Sequence, residues 1–269
     1  MLPRLVMAED EEISSALERE MKKQKITVNL GTKVEDRRDN PDGSLTLTLS
    51  AGKTLDVDCV LVATGRRPWS EGMGLETVGI SRADRGKIAV NDKLQTSVPN
   101  IYAIGDVTDI KQLAHFASAQ GKAAVEIIAG HPAQTNWRAV PAATFTSPEI
   151  ASVGLTEAEA KAEGRKVKVG RFPFRAHGRN IADGETTGFV KIVGDATTDQ
   201  ILGCSIFGAK ASELIHEASL AIGADLDVAA IAHAIHAHPT MMETLGEAAE
   251  DADSLAIHLL RIEAKVGAK

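Results

Sequence analysis

The sequence predicts α/β elements up to about residue 135, then an α+β domain with an antiparallel sheet. Three observations carry that prediction. Strand-like and helix-like runs alternate in the first half, but a helix comes first, so the chain enters an α/β pattern midway. The segment HPAQTNWRAVP, residues 131–141, has linker composition and marks a boundary near residue 136. Beyond it, hairpin-spaced strand patterns are interleaved with helical ones, an α+β order that places helices to one side of the sheet.

Taken in order, residues 9–25 form an amphipathic helix with Ile13, Leu17 and Met21 on one stripe. Acids lead it and lysines trail, matching the helix dipole. Strand patterns follow in ITVNLGTKVEDRRD, SLTLTLS and TLDVDCVLVATG, separated by turns at NPDG and AGK. Alternation in LTLTL predicts an antiparallel strand with one wet face, whereas VDCVLVAT reads as a strand buried on both faces. A loop-rich stretch then runs to about residue 95. Within it GMGLETVG, Gly72 to Gly79, imitates a dinucleotide fingerprint, but its third glycine is misplaced and no strand precedes it. NIYAIGDV, residues 100–107, is a short strand ending in Gly105 and Asp106. The helix LAHFASAQGKAAVEIIAG closes at Gly130, with Pro132 beyond. In the last part, strands are predicted at AATFTS, ASVGLT, KVKVGRFPF, GFVKIVGD and QILGCSIFG. Helices are predicted at TEAEAKAEG, SELIHEASLAIGA, DVAAIAHAI and MMETLGEAAEDADSL.

Composition narrows the function classes. With 43% hydrophobic and 25% charged residues the chain has ordinary globular proportions. A net charge of −7, no basic run and only 3% aromatics argue against a nucleic-acid surface. No apolar run approaches a membrane span, and the start lacks the apolar segment of a secretory signal. Cys59 and Cys204 both lie in apolar runs, read as buried free thiols, and a reduced cytoplasmic compartment is expected. They form no close pair, so the chain carries no redox dithiol of its own.

The richest stretch is HAIHAHPTMMETLGEAAE, residues 233–250. His238 precedes a proline, which disfavours helical geometry there and leaves room for a cis bond. Pro239 can open a helix with Glu243 in its second turn. A carboxylate so placed can reach back, fix the imidazole tautomer and raise its basicity. Spacing alone also allows a helix cap, or metal binding with His233 and His236; the metal reading ranks lowest because no acidic or cysteine ligand completes a zinc-like set.

Five stretches in order, EDEEIS, VLVATGRRP, VPNIYAIGDV with LAH, SPEIASVGLTE and HAHPTMMETLGEA, resemble the flavoprotein pyridine nucleotide–disulfide oxidoreductases, over nearly the whole chain. The resemblance implies carboxyl-terminal parts of an NAD-binding domain (residues 1–70) and of an FAD-binding domain (71–135), then an interface domain (136–269) that forms a homodimer. It places the FAD ribityl chain on Gly105 and Asp106. Gln112, Leu113, Ala114 and His115 fall beside the flavin ring, where free amides at a helix start suit negative charge. Gly65 falls beside NAD, with Arg66 and Arg67 near the cofactor. His238 and Glu243 become the acid–base pair, directed across a twofold axis to the other subunit's disulfide. The implied activity is oxidation of protein-bound dihydrolipoamide with NAD reduction through FAD, served by lipoyl domains of 2-oxo acid dehydrogenase complexes. HAHPT, and the lack of a carboxyl-terminal cysteine pair, favour that branch over mercuric or glutathione reductases. The family's amino-terminal FAD-binding unit, cysteine pair and glycine-rich NAD loop have no counterpart here. The expectation is a carboxyl-terminal fragment, inactive alone; the alternative is a stand-alone dimerisation or docking module.

Overall fold

A computed structural model describes residues 2–260. The chain divides into two compact units: residues up to Asp58 together with those from Arg138 onward, and Cys59–Trp137.

The first unit is built on a five-stranded antiparallel sheet in the order β4 (Ala142–Thr144), β5 (Ile150–Gly154), β8 (Ile201–Gly208), β7 (Gly188–Asp195), β6 (Val167–Pro173). β7 and β8 are central, and their registers pair Ile192 with Cys204 and Val190 with Ile206. β8 is buried at every position, which is why its sequence lacks alternation. Three helices, α5 (Ala211–Gly223), α6 (Val228–Ala232) and α7 (Glu243–Ala252), share one core with Val190, Ile192, Cys204 and Ile206.

The other face is covered too. Helix α1 (Glu11–Lys23) packs Ile13, Ala16 and Leu17 on Ile150 and Phe207, residues of opposite parity to Ala151 and Ile206. Helix α3 (Glu157–Ala162) adds Ala160 against Val193 and Leu202. Helices therefore flank both faces rather than one, because the odd and even positions of the central strands are both apolar. A short helix α4 (Gly178–Asp183), which the apolar pattern does not predict, joins β6 to β7.

α1 is also held by charge. Lys191 of β7, only 2% exposed, lies 2.9 Å from Asp10, 2.7 Å from Glu12 and 2.8 Å from Glu157. Arg171 adds a 2.6 Å pair to Glu12 and a 3.1 Å pair to Glu157. Burial opposes the charge on Lys191, but the bonds from Glu12, Glu157 and Asp10 outweigh it and hold its pKa above the ordinary value. Hydrogen bonds from Lys161 and then Lys191 pull Glu157 from 4.5 down to about 2. A depressed carboxylate contributes stability that is complete above its unfolded pKa and lost as pH falls through the folded one. The thermal midpoint should therefore drop between pH 4.5 and about 2 as Glu157 protonates. A midpoint constant across that interval, followed by circular dichroism, would contradict this account.

Strands β1 (Val34–Asp39), β2 (Leu45–Leu49) and β3 (Thr54–Val57) form a separate antiparallel meander in the same unit. β2 buries Leu47 and Leu49 on one face, as its alternation predicts.

The second unit holds helix α2 (Ala114–Ile128) and two small cores, around Leu75, Ile80, Ile88 and Ala103, and around Leu94, Ala123 and Ala124. Three predictions fail here. Residues 58–65 form no strand, and Leu61 and Val62 are 90% and 75% exposed. Cys59 is exposed as well, unlike Cys204. Among the described residues no neighbouring strand pairs with this run, so its apolar side chains have neither ladder nor cover. NIYAIGDV likewise contributes only an isolated bridge from Tyr102 to Gln95, then a 3-10 turn at Gly105–Thr108. No helix among the described residues is long and apolar enough to cross a membrane.

Candidate active site

The chain turns at His238–Pro239, a cis bond, and α7 starts at Glu243 itself rather than a turn earlier. The Thr240 N–H of the intervening turn donates to Glu243 Oε2 at 2.8 Å. That bond folds the Glu243 side chain back over the turn, where a carboxylate also suits the helix dipole. Its other oxygen, Oε1, lies 2.9 Å from His238 Nδ1. Burial disfavours charge on Glu243. The bonds from His238 and Thr240, with the charges of His238 and His177, outweigh it and hold the carboxyl below the ordinary glutamate value.

His238 is 79% exposed, so Glu243 occupies Nδ1 and leaves Nε2 directed to the surface. A base whose inner nitrogen is oriented and whose outer nitrogen is accessible can accept and return a proton. The neighbouring His236 is engaged elsewhere: its Nε2 lies 3.0 Å from Glu217, whose bond raises the His236 pKa against the effect of burial. Among the described residues no three metal-type ligands converge.

Position in the fold comes from packing. α7 lies against β6 at Gly170, where a Cβ would overlap the carbonyl oxygen of Ala248. Only glycine permits that approach. Sequence reading missed one residue at this site, His177 at the start of α4, whose Nε2 lies 3.3 Å from Glu243 Oε2. Its only local signal is Asn180 three positions later.

The other singled-out residues lie in the second unit. Gly105 has φ +70°, and a Cβ there would come within 3.1 Å of Ala117 Cβ. Its N–H donates to Gln120 Oε1 at 2.7 Å, while the Nε2 of that glutamine is buried without a partner. Asp106 is 43% exposed and pairs with Arg66 at 3.8 Å, joining residues that the resemblance assigns to different cofactors. Gln112 donates to Asp109 at 3.1 Å, Leu113 immediately precedes α2, and Ala114 and His115 are exposed in its first turn. Gly65, at φ +101°, meets nothing within 4 Å. Arg67 stacks over Trp69 at 5.9 Å and pairs with Glu71 at 3.7 Å.

Residues 1–121 match the family model described as pyridine nucleotide-disulphide oxidoreductase, and residues 140–249 match the dimerisation domain of the same family. The chain belongs to this oxidoreductase family. Its dimerisation domain contains His177, His238 and Glu243, and the preceding match contains Gly65, Gly105, Asp106 and residues 112–115. Among relatives, dihydrolipoyl dehydrogenase of Bacillus subtilis is 42% identical over 94% of this chain and 54% of its own length. The mitochondrial dihydrolipoyl dehydrogenase 1 of Arabidopsis thaliana is 43% identical over 95% and 51%. In three dimensions the chain is similar to an HOCl-induced flavoprotein disulfide reductase from Escherichia coli, with TM-score 0.84 and 26% identity over 93% of this chain and 57% of that one. The chain thus spans about half the length of these relatives.

Proposed function

We propose that this chain supplies the acid–base half of a dihydrolipoyl dehydrogenase active site, with His238 as the base and Glu243 as its orienting partner. The observation that carries the reading is the 2.9 Å contact from Glu243 Oε1 to His238 Nδ1 beside an exposed outer nitrogen. His238 Nε2 takes a proton from a dihydrolipoamide thiol, and the resulting thiolate attacks a disulfide sulfur, displacing the other sulfur as thiolate. The disulfide is not formed within the described residues, because Cys59 and Cys204 are both free. Burial pushes the Cys204 thiol far above its usual range, which makes it inert.

In this reading residues 1–70 belong to an NAD-binding domain, 71–135 to an FAD-binding domain and 136–269 to the interface domain. FAD bound at Gly105, Asp106 and Gln112–His115, and NAD bound near Gly65, would carry electrons from dithiol to nicotinamide. The residues fit such a role: Gly105 leaves a left-handed turn without a side chain, and buried Gln120 Nε2 is an unused donor beside it. Homodimerisation through residues 136–269 is supported by the exposure of Phe145, Leu220 and Ile235, apolar residues of the domain matched as dimerising. Lipoyl domains of 2-oxo acid dehydrogenase complexes are the proposed partners.

Two arms test the reading. The chain alone is expected to show no lipoamide-dependent NAD reduction. A chimera in which it replaces the matched part of the Bacillus subtilis relative should turn over, and His238→Gln should slow it by about 10²–10⁴-fold. A chimera indifferent to His238→Gln would refute the assignment.

A further inference from the structure

Gly105 opens the Gly105–Thr108 turn in a left-handed conformation, and side chains take both of its backbone polar groups. Its carbonyl accepts from Thr108 Oγ1 at 2.8 Å, and its N–H donates to Gln120 Oε1 at 2.7 Å. Gln120 belongs to α2 and is fully buried. Ala117, Gln120 and Gly121 fall at spacings of three and four, so one face of α2 lies on Ile104 and Gly105. A Cβ at Gly121 would stand 3.3 Å from Ile104 Cδ1, a contact as close as that of Gly105 with Ala117. The Gly105 N–H can only donate, so the Gln120 amide must turn its oxygen toward it. Its Nε2 is then left buried without a partner among the described residues. An orphan donor costs at least what one hydrogen bond contributes. Gln120 therefore adds little net stability, and its effect falls on the conformation of the turn.

We propose that Gln120 is a positioning residue for the flavin nucleotide: its side-chain oxygen, with the Thr108 hydroxyl, locks the Gly105 peptide so that Asp106 is already presented to the ribityl hydroxyls before ligand arrives. The role rests on reading Gly105 and Asp106 as an FAD site. Asp106 itself has little to hold it. Its ion-pair partner is the exposed Arg66 at 3.8 Å, a weak surface contact, so the backbone of the turn sets the direction of the carboxylate. A turn fixed by two buried side-chain bonds meets its ordering cost on folding rather than on binding, which favours affinity.

Amide hydrogen exchange on the chain, without cofactor, reads the clamp directly. Gln120→Met keeps the length of the side chain and removes its oxygen. The Gly105 N–H should then exchange about tenfold faster, the size of one net hydrogen bond. The thermal midpoint should stay within about 4 °C of the parent, because the variant trades one orphan donor for another. Gln120→Glu keeps an oxygen at the same reach and should restore the protection. In the chimera with the Bacillus subtilis relative, FAD titrations followed by flavin fluorescence should show about tenfold weaker binding for Gln120→Met and recovery for Gln120→Glu. Unchanged Gly105 exchange, FAD affinity indifferent to Gln120→Met, or a Glu variant that behaves like the Met variant would overturn the proposal. So would a Met variant that unfolds or loses protection throughout the second unit, since that is the signature of ordinary core packing. A parent chimera that takes up no FAD would remove the FAD reading and this role together, whereas a normal parent with an indifferent Met variant removes the role alone.

Discussion

Replacing Lys191 with Met is expected to destabilise the first unit by about 3–5 kcal/mol, the cost of breaking a buried ion cluster by removing one partner. The ammonium is 2% exposed and touches three carboxylates, those of Asp10, Glu12 and Glu157. Arg171 still reaches Glu12 and Glu157 in the variant, so the loss falls chiefly on Asp10, which is 5% exposed and has Lys191 as its ion-pair partner. Asp10 also accepts from the Glu12 N–H at the start of α1, so the damage reaches the helix that covers one face of the sheet. A double-mutant cycle with Asp10→Asn separates the pair from its surroundings. In that cycle the double variant should recover part of the loss. Urea melts showing a Lys191→Met deficit below about 1 kcal/mol would mean that solvent already screens the cluster, as it does for surface pairs.

The second large effect is expected at Gly170. A Cβ there would overlap the Ala248 carbonyl oxygen and stand 2.6 Å from the Ala252 nitrogen, both backbone atoms of α7. Backbone cannot rotate away as a side chain can, so Gly170→Ala should cost about 3 kcal/mol, the upper end of typical overpacking effects, and Gly170→Val more. The consequence extends to the site because Glu243 is the first residue of the displaced helix. The His238 Nδ1 contact should weaken together with stability, visible in the imidazole nitrogen spectrum. Gly178→Ala, where nothing lies within 4 Å, is the control and should stay within about 1 kcal/mol of the parent. Equal losses in the two variants would show that glycine flexibility, not helix–strand contact, is what Gly170 provides.

Much of this molecule was legible in the chain as written. The stripe of Ile13 and Leu17 foretold the buried face of α1, and GFVKIVGD foretold β7 residue for residue. His238 and Glu243 could be paired from sequence because they lie on either side of one proline turn. In each case the determining contacts are short in sequence or repeat at a helix or strand period.

Other features depend on what covers a segment, and local pattern is blind to that. VDCVLVAT has the composition of a buried strand, yet residues 58–65 stand exposed because apolar character specifies a strand only when neighbours complete its ladder. α1 was legible as a helix, but not as the cover for Ile150 and Phe207, nor as the source of the acids around Lys191. His177 escaped for the same reason: it meets Glu243 only because α4 and the start of α7 are folded onto one end of the sheet. Sequence by itself determined the family's segments, most strands and helices, and the pairing of His238 with Glu243. Tertiary structure alone decided which faces are desolvated and which charges meet there, since burial and long-range pairing are properties of the assembled layers rather than of any one of them.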